Sequence, residues 1–219
     1  GTTRQGGADD RGTVYRLEVG PGGATVTTLH AFVAPDGDPD SGVILASDGL
    51  LYGTFGDGLT SASTVYRLAT DGTAFERLHI LTNGVRPTGT LLEGSDGLLY
   101  GTTEDGGAQG GGTVFRLSRD GAAFTTLVDL EGHPVAGLTE APGPDGTPHL
   151  FGVETAGQNP ATEFGAIFQL RRDGTLIPRH PWWTAPRTVS AVTTGVMGFF
   201  AFSQLPLAEC YAIFFAMPL

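Results

Sequence analysis

Apolar and polar residues alternate in short runs along most of the chain. In Thr113-Val114-Phe115-Arg116-Leu117, Val114 and Arg116 fall on one side and Phe115 and Leu117 on the other. That period of two is the mark of a β-strand. β-branched and aromatic residues fill such runs, and Gly, Pro and Asp bound them. The run is also a refrain. It occurs as Gly12-Thr13-Val14-Tyr15-Arg16-Leu17, Ser63-Thr64-Val65-Tyr66-Arg67-Leu68, Gly112 to Leu117, and Gly165-Ala166-Ile167-Phe168-Gln169-Leu170. A faint fifth copy is Tyr211-Ala212-Ile213-Phe214-Phe215. The spacing is about 50 residues, a period typical of propellers and related arrays.

Two further phrases recur in step. Ser47-Asp48-Gly49-Leu50-Leu51-Tyr52-Gly53-Thr54 returns as Ser95 to Thr102 and, more loosely, as Asp145 to Val153. Gly198 to Phe202 reads as a degenerate copy, and Gly1-Thr2-Thr3 as the tail of another. A Pro-containing turn leads into an apolar run at Pro39 to Val43, Pro87 to Leu91 and Pro134 to Leu138. Each repeat thus predicts four strands, A to D. In the clearest copy these are 89–92, 98–102, 113–117 and 123–128. No stretch carries a helical apolar period.

Asp-Gly pairs begin at Asp48, Asp71, Asp96, Asp120, Asp145 and Asp173. Between apolar runs such pairs predict hairpins with type I′ turns, which need positive φ at both central residues. They join A to B and C to D. In a meander both kinds of turn lie on one face, so the longer B–C and D–A loops lie on the other, where function is usually built. Four strands per repeat, in tandem, predict an all-β fold, a β-propeller of four-stranded blades. Residues 1–219 read as one domain, clear over 1–155 and degenerate over 156–219. Four blades with extra terminal strands, five sharing strands between the termini, or a fragment of a larger propeller all fit the spacing.

Composition narrows the partners. The chain has 219 residues, 35 of them Gly and 14 Pro, without a collagen period. Its net charge of −11 excludes a nucleic-acid partner, which needs clustered Lys and Arg. Cys210 is the sole cysteine, so no intrachain disulfide forms, and it reads as a buried apolar residue. The segment from Gly195 to Leu219 is apolar, but Gln204, Pro206 and Glu209 interrupt it. It predicts two buried strands rather than a membrane span. The chain opens on Gly1 without a methionine or leader, as a processed or cut N-terminus would.

The combined pattern in residues 95–117, Ser-Asp-Gly-Leu-Leu-Tyr-Gly-Thr-Thr, a Gly-rich stretch, then Gly-Thr-Val-Phe-Arg-Leu, resembles the bacterial Gloeobacter/Verrucomicrobia-type tandem repeat of "choice-of-anchor" repeat proteins. The resemblance covers about 1–155 well and 156–219 poorly. It implies a secreted or cell-surface propeller of undefined activity. Such proteins carry a leader, an anchor and more repeats, which this sequence lacks, so the resemblance implies a fragment or a short member.

Candidate chemistry is sparse. Asp36, Asp38 and Asp40 alternate in one loop and could converge on Ca²⁺. The positions that would complete a calcium loop are Ser41 and Ser47. The equivalent turns lack carboxylates, so the first reading is a Pro-Gly turn, and no cofactor is expected. Asp57, Glu104, Asp105, Glu154 and Glu163 fall in B–C loops, and His133 in a D–A loop. Trp182 and Trp183, beside His180, fall in the last D–A loop, where they could stack on a sugar or plug a blade. His30 and His79 occupy equivalent D positions and read as structural. Gly106 to Gly112 lacks the Lys-Ser/Thr of a phosphate loop, and no nucleophile elbow occurs. The expectation is a non-enzymatic binding protein. Asp57, Glu104, Asp105, His133, Glu154, Trp182 and Trp183 would line its face toward a glycan or protein. A carbohydrate-active hydrolase or lyase with paired carboxylates at the channel mouth, and a purely structural module, are the alternatives.

Overall fold

The computed structural model describes residues 1–34, 36–39, 41–56, 63–155 and 166–177. All of them are strand, turn or loop, and none is helical. They fall in one compact unit, Gly1–Ile177. Expectations about Asp40, Asp57, Glu163, His180, Trp182, Trp183, Cys210 and the degenerate phrases after 195 lie outside the described residues.

Among the described residues, fourteen strands form four antiparallel sheets. Sheet I holds β1 (Thr2–Thr3), β2 (Thr13–Gly20) and β3 (Gly23–Ala31). Sheet II holds β4 (Ile44–Leu45), β5 (Leu50–Gly56), β6 (Ser63–Ala69) and β7 (Glu76–Leu81). Sheet III holds β8 (Gly84–Glu93), β9 (Leu99–Gly106), β10 (Thr113–Leu117) and β11 (Phe124–Asp129). Sheet IV holds β12 (Thr139–Pro142), β13 (Pro148–Glu154) and β14 (Ala166–Arg171). Strands of each sheet follow one another in chain order, as the A-to-D reading requires. A register shift recurs at one repeat position, Val14/Tyr15, Val65/Tyr66 and Val114/Phe115.

The sheets stack face to face through three apolar layers. Val14 and Phe32 of sheet I's end meet Phe55, Tyr66 and Leu68 of sheet II. Tyr52 and Val65 of sheet II meet Leu91, Leu99, Phe115 and Leu117 of sheet III. Tyr100 and Val114 of sheet III meet Leu150, Phe168 and Leu170 of sheet IV. Val114 and Phe115 therefore bury on opposite faces of one strand, as the alternation predicts. Within each sheet a glycine of strand B lies under an aromatic ring of strand C. The pairs are Gly1 with Tyr15, Gly53 with Tyr66, Gly101 with Phe115, and Gly152 with Phe168. A Cβ on Gly101 would fall 2.4 Å from Phe115 Cζ.

The Asp-Gly turns correct the type I′ expectation. Only the glycines take positive φ, such as Gly49 at 82° and Gly97 at 75°; the six aspartates do not. Gly97 N–H donates to Gly94 O at 2.8 Å, and Gly94 N–H to Leu98 O at 2.8 Å. This is a three-residue loop, a type I turn closed by a glycine in the left-handed region. Asp96 accepts the Leu98 N–H at 3.1 Å and the Tyr100 hydroxyl at 2.8 Å. Asp48 does the same for Leu50 and Tyr52, at 3.0 and 2.7 Å. Burial, then this acceptor, pushes the Tyr52 phenol up to about 12. The aspartate is thus an acceptor built into the turn, not a residue chosen for positive φ.

These turns also tie neighbouring sheets. Arg119, in the C–D turn of sheet III, donates to Ser47 Oγ at 2.9 Å and pairs with Glu93 at 3.2 Å. Glu93 in turn accepts the Ser47 N–H at 2.8 Å. One repeat later, Arg172 pairs with Glu140 and bonds Ser95, while Glu140 accepts the Ser95 N–H at 2.9 Å. Contact between a C–D turn and an A–B turn puts both on one face, as the hairpin argument requires. At the first junction the corresponding positions are Thr70 and Leu45, which cannot form the latch.

Candidate functional site

On the opposite face, the recurring proline, in a D–A loop at Pro39 and Pro134 and in the first half of β8 at Pro87, is preceded by a polar residue: Asp38, Arg86 and His133. The pre-proline position favours extended backbone. Arg86 nevertheless has φ 58°, left-handed geometry that is uncommon for a side chain of its size. Its N–H donates to Ser63 Oγ at 3.1 Å. Its guanidinium reaches Glu104 at 3.0 Å and Asp105 at 3.6 Å.

Glu104 and Asp105 end strand β9, paired directly against the start of β8. His133 approaches from the loop between sheets III and IV. Its Nδ1 lies 2.7 Å from Glu104 O and 3.4 Å from the Asp105 carboxylate. Thr155 N–H anchors the His133 carbonyl at 2.8 Å. Glu154 ends β13 alongside, close enough that a Cβ on Gly132 would come 3.2 Å from its carboxylate. Three sequence-predicted residues, Glu104, Asp105 and His133, therefore meet, with Glu154 at their border and Arg86 among them. The side chains remain partly open to solvent, Arg86 the most, at 64%. Such a group offers donors and acceptors of both charge signs across a few ångströms.

Arg86 was not among the sequence candidates. It lies outside the repeated phrases, and only alignment of the pre-proline positions, Asp38, Arg86 and His133, marks it.

Asp36 is buried and its carboxylate pairs with Arg77, which supplies the cation. Asp38 Oδ1 is buried without a hydrogen-bond partner. Among the described residues no three His, Cys, Asp or Glu side chains are grouped to hold a metal ion. His30 and His79, read as structural, stack on Phe75 and Phe124 of the next sheet at 3.9 and 4.3 Å. Burial lowers both histidines below 6.5.

Comparison with known proteins follows this architecture. The family model for the Gloeobacter/Verrucomicrobia repeat matches residues 1–196, further along the chain than the 1–155 over which the phrases are plain. No curated protein matches. Among solved structures, a nidogen/laminin complex aligns with 77% of this chain and 59% of its own, at 13% identity and TM-score 0.52. The X-ray structure of a protein assigned as a gluconolactonase aligns with 76% and 56%, at 17% identity and TM-score 0.48. The chain thus spans less than two-thirds of the length of either. The first of these likenesses shows a propeller-like fold.

Proposed function

We propose a function from this premise: the chain belongs to the Gloeobacter/Verrucomicrobia repeat family, and its long-loop face is a ligand-binding surface of a secreted or cell-surface protein. Each sheet serves as one blade of a ring of four to five, alone or within a longer propeller. The observation that carries the reading is Arg86, held in left-handed geometry between Glu104 and Asp105 with His133 beside them. Partly exposed guanidinium, carboxylate and imidazole groups side by side suit the hydroxyls of a glycan. In this reading the group binds a ligand rather than turning one over. Location outside the cell rests on the family resemblance alone.

A glycan array probed with the folded protein tests this. Saturable binding is expected, weakened about tenfold or more by Arg86→Ala or His133→Ala. A folded protein that binds no glycan moves the reading to a protein ligand. Hydrolysis of an arrayed glycan replaces it with the hydrolase alternative. A face indifferent to both kinds of ligand leaves a structural module.

A further inference from the structure

A glycine that follows Asp or Asn exposes the pair to a reaction of its own. The glycine nitrogen can attack the side-chain carbonyl before it and close a five-membered imide, because no Cβ hinders the approach. The six Asp-Gly turns are built against this. In each one the glycine N–H, from Gly49 to Gly174, donates to the carbonyl three residues before it, at 2.8–3.0 Å. Each aspartate Oδ1 also accepts the N–H two residues further on, at 2.8–3.1 Å. Nucleophile and electrophile are both committed to the turn.

Asn83-Gly84 is the one Asn-Gly pair of the sequence, and it is held differently. Asn83 is exposed, in the two-residue bend between β7 and β8. Its carbonyl accepts the Gly107 N–H at 3.0 Å, so Asn83 and Gly107 continue the β8–β9 register as a hydrogen-bonded pair. Bonded and non-bonded pairs alternate in an antiparallel ladder. At the next pair, Gly84 with Gly106, the Gly84 N–H therefore turns away from β9. Arg86, two residues on, shows the same direction, its N–H leaving the ladder for Ser63 Oγ at 3.1 Å. The other asparagine, Asn159, precedes Pro160, whose nitrogen has no proton to lose.

We propose that Asn83-Gly84 is a self-modification site on the long-loop face, where the asparagine converts to aspartate and isoaspartate. The Gly84 nitrogen loses its proton and attacks Asn83 Cγ. The N–Cγ bond forms, the Cγ–Nδ2 bond breaks, and the amide leaves as ammonia. Water then opens the imide at either carbonyl. One opening gives aspartate, and the other gives isoaspartate, whose main chain runs through the side-chain carbon. Nothing is oxidised or reduced. Either product adds one negative charge to the −11 of the chain, three residues before Arg86. Isoaspartate also lengthens the backbone by one carbon at the bond to Gly107, beside the strand end that carries Glu104 and Asp105. The site stands whether or not the Arg86 group binds a ligand.

The test is incubation of the whole folded chain at mildly alkaline pH, followed by peptide mapping with mass spectrometry and enzymatic detection of isoaspartate. The same chain unfolded in guanidinium is the reference. Asn83 should convert in the folded chain at a rate comparable with the unfolded one, releasing ammonia and giving both products. Isoaspartate at the six Asp-Gly turns should form only in the unfolded chain. Asn83→Gln should stay intact over the same period, since its imide ring would be one atom larger, and a circular dichroism melt establishes that it folds. The Gly107 amide should exchange with solvent faster in the converted chain than in Asn83→Gln. Conversion of Asn83 in the unfolded chain alone overturns the proposal. So does isoaspartate at the Asp-Gly turns of the folded chain as fast as at Asn83, since backbone bonding would then decide nothing.

Discussion

Gly101→Ala isolates the contact that sets the spacing between strands B and C. The new Cβ would lie 2.4 Å from Phe115 Cζ, 2.8 Å from Cε1 and 2.9 Å from Leu91 Cδ2. Ordinary contact between such atoms begins near about 3.5 Å. Phe115 is 1% exposed and packed between two sheets, so the ring cannot swing into solvent. Overpacking of this kind costs about 1–3 kcal/mol. Restricting the unfolded chain returns about 0.4–1 kcal/mol. A net loss of about 1–1.5 kcal/mol is expected, a fall of roughly 2–6 °C in Tm for a chain of this size. Urea denaturation of Gly101→Ala, Phe115→Leu and the double variant gives the coupling directly. Trimming the ring should relieve the clash, so the double variant should be more stable than the sum of the single losses. A Gly101→Ala protein as stable as its parent, or two additive losses, would refute the reasoning. The same substitution at Gly53 or Gly152 meets the same ring position and should repeat the result.

Two more perturbations follow from the turns and the stacked histidines. Asp96→Ala leaves the Leu98 N–H and the Tyr100 hydroxyl without their acceptor, at a cost of about 1–3 kcal/mol. Asp96→Asn should recover part of it, and an unchanged urea midpoint in Asp96→Ala would discard the capping role. Stability should also fall with acid in two stages. Burial depresses His30 and His79, so the unfolded chain takes their protons first and stability drops as pH falls below about 6.5. Asp71, Asp120 and Asp173 are held below 3.8 by side-chain and backbone donors in their turns, and Asp145, bonded by Thr147, titrates at about 2. Their contribution is complete above about pH 4 and is lost as pH falls toward about 2. Urea midpoints across this range separate the stages, and a flat profile in either window would remove that set of groups.

Much of the fold was readable because the chain states it repeatedly. Strands over 89–92, 98–102, 113–117 and 123–128 were expected, and β8 to β11 lie on them, with β8 and β9 running longer into the loop face. The turn type was not readable. Asp-Gly serves both a two-residue loop and the end of a three-residue one, and only the bond from Gly94 N–H to Leu98 O separates them. For the site, carboxylates in B–C loops pointed to Glu104 and Asp105. Nothing local pointed to Arg86, whose role depends on pairing between the ends of β8 and β9. The partner of Asp36 in the aspartate loop was equally hidden: Arg77, which neutralises it, lies 41 residues away in sequence.

The arginine latches give the stack a direction. Each arginine sits in a later sheet and secures the turn of the sheet before it, so a sheet is locked in place by its successor. Stability then accrues by nearest neighbours, as in a one-dimensional chain of coupled units. Sheets II and III are each fastened by the following arginine, whereas sheet I meets Thr70 and Leu45 and is held by apolar packing alone at that position. Among the described junctions, the one between sheets I and II is therefore expected to open more easily than the two that carry the arginine latch.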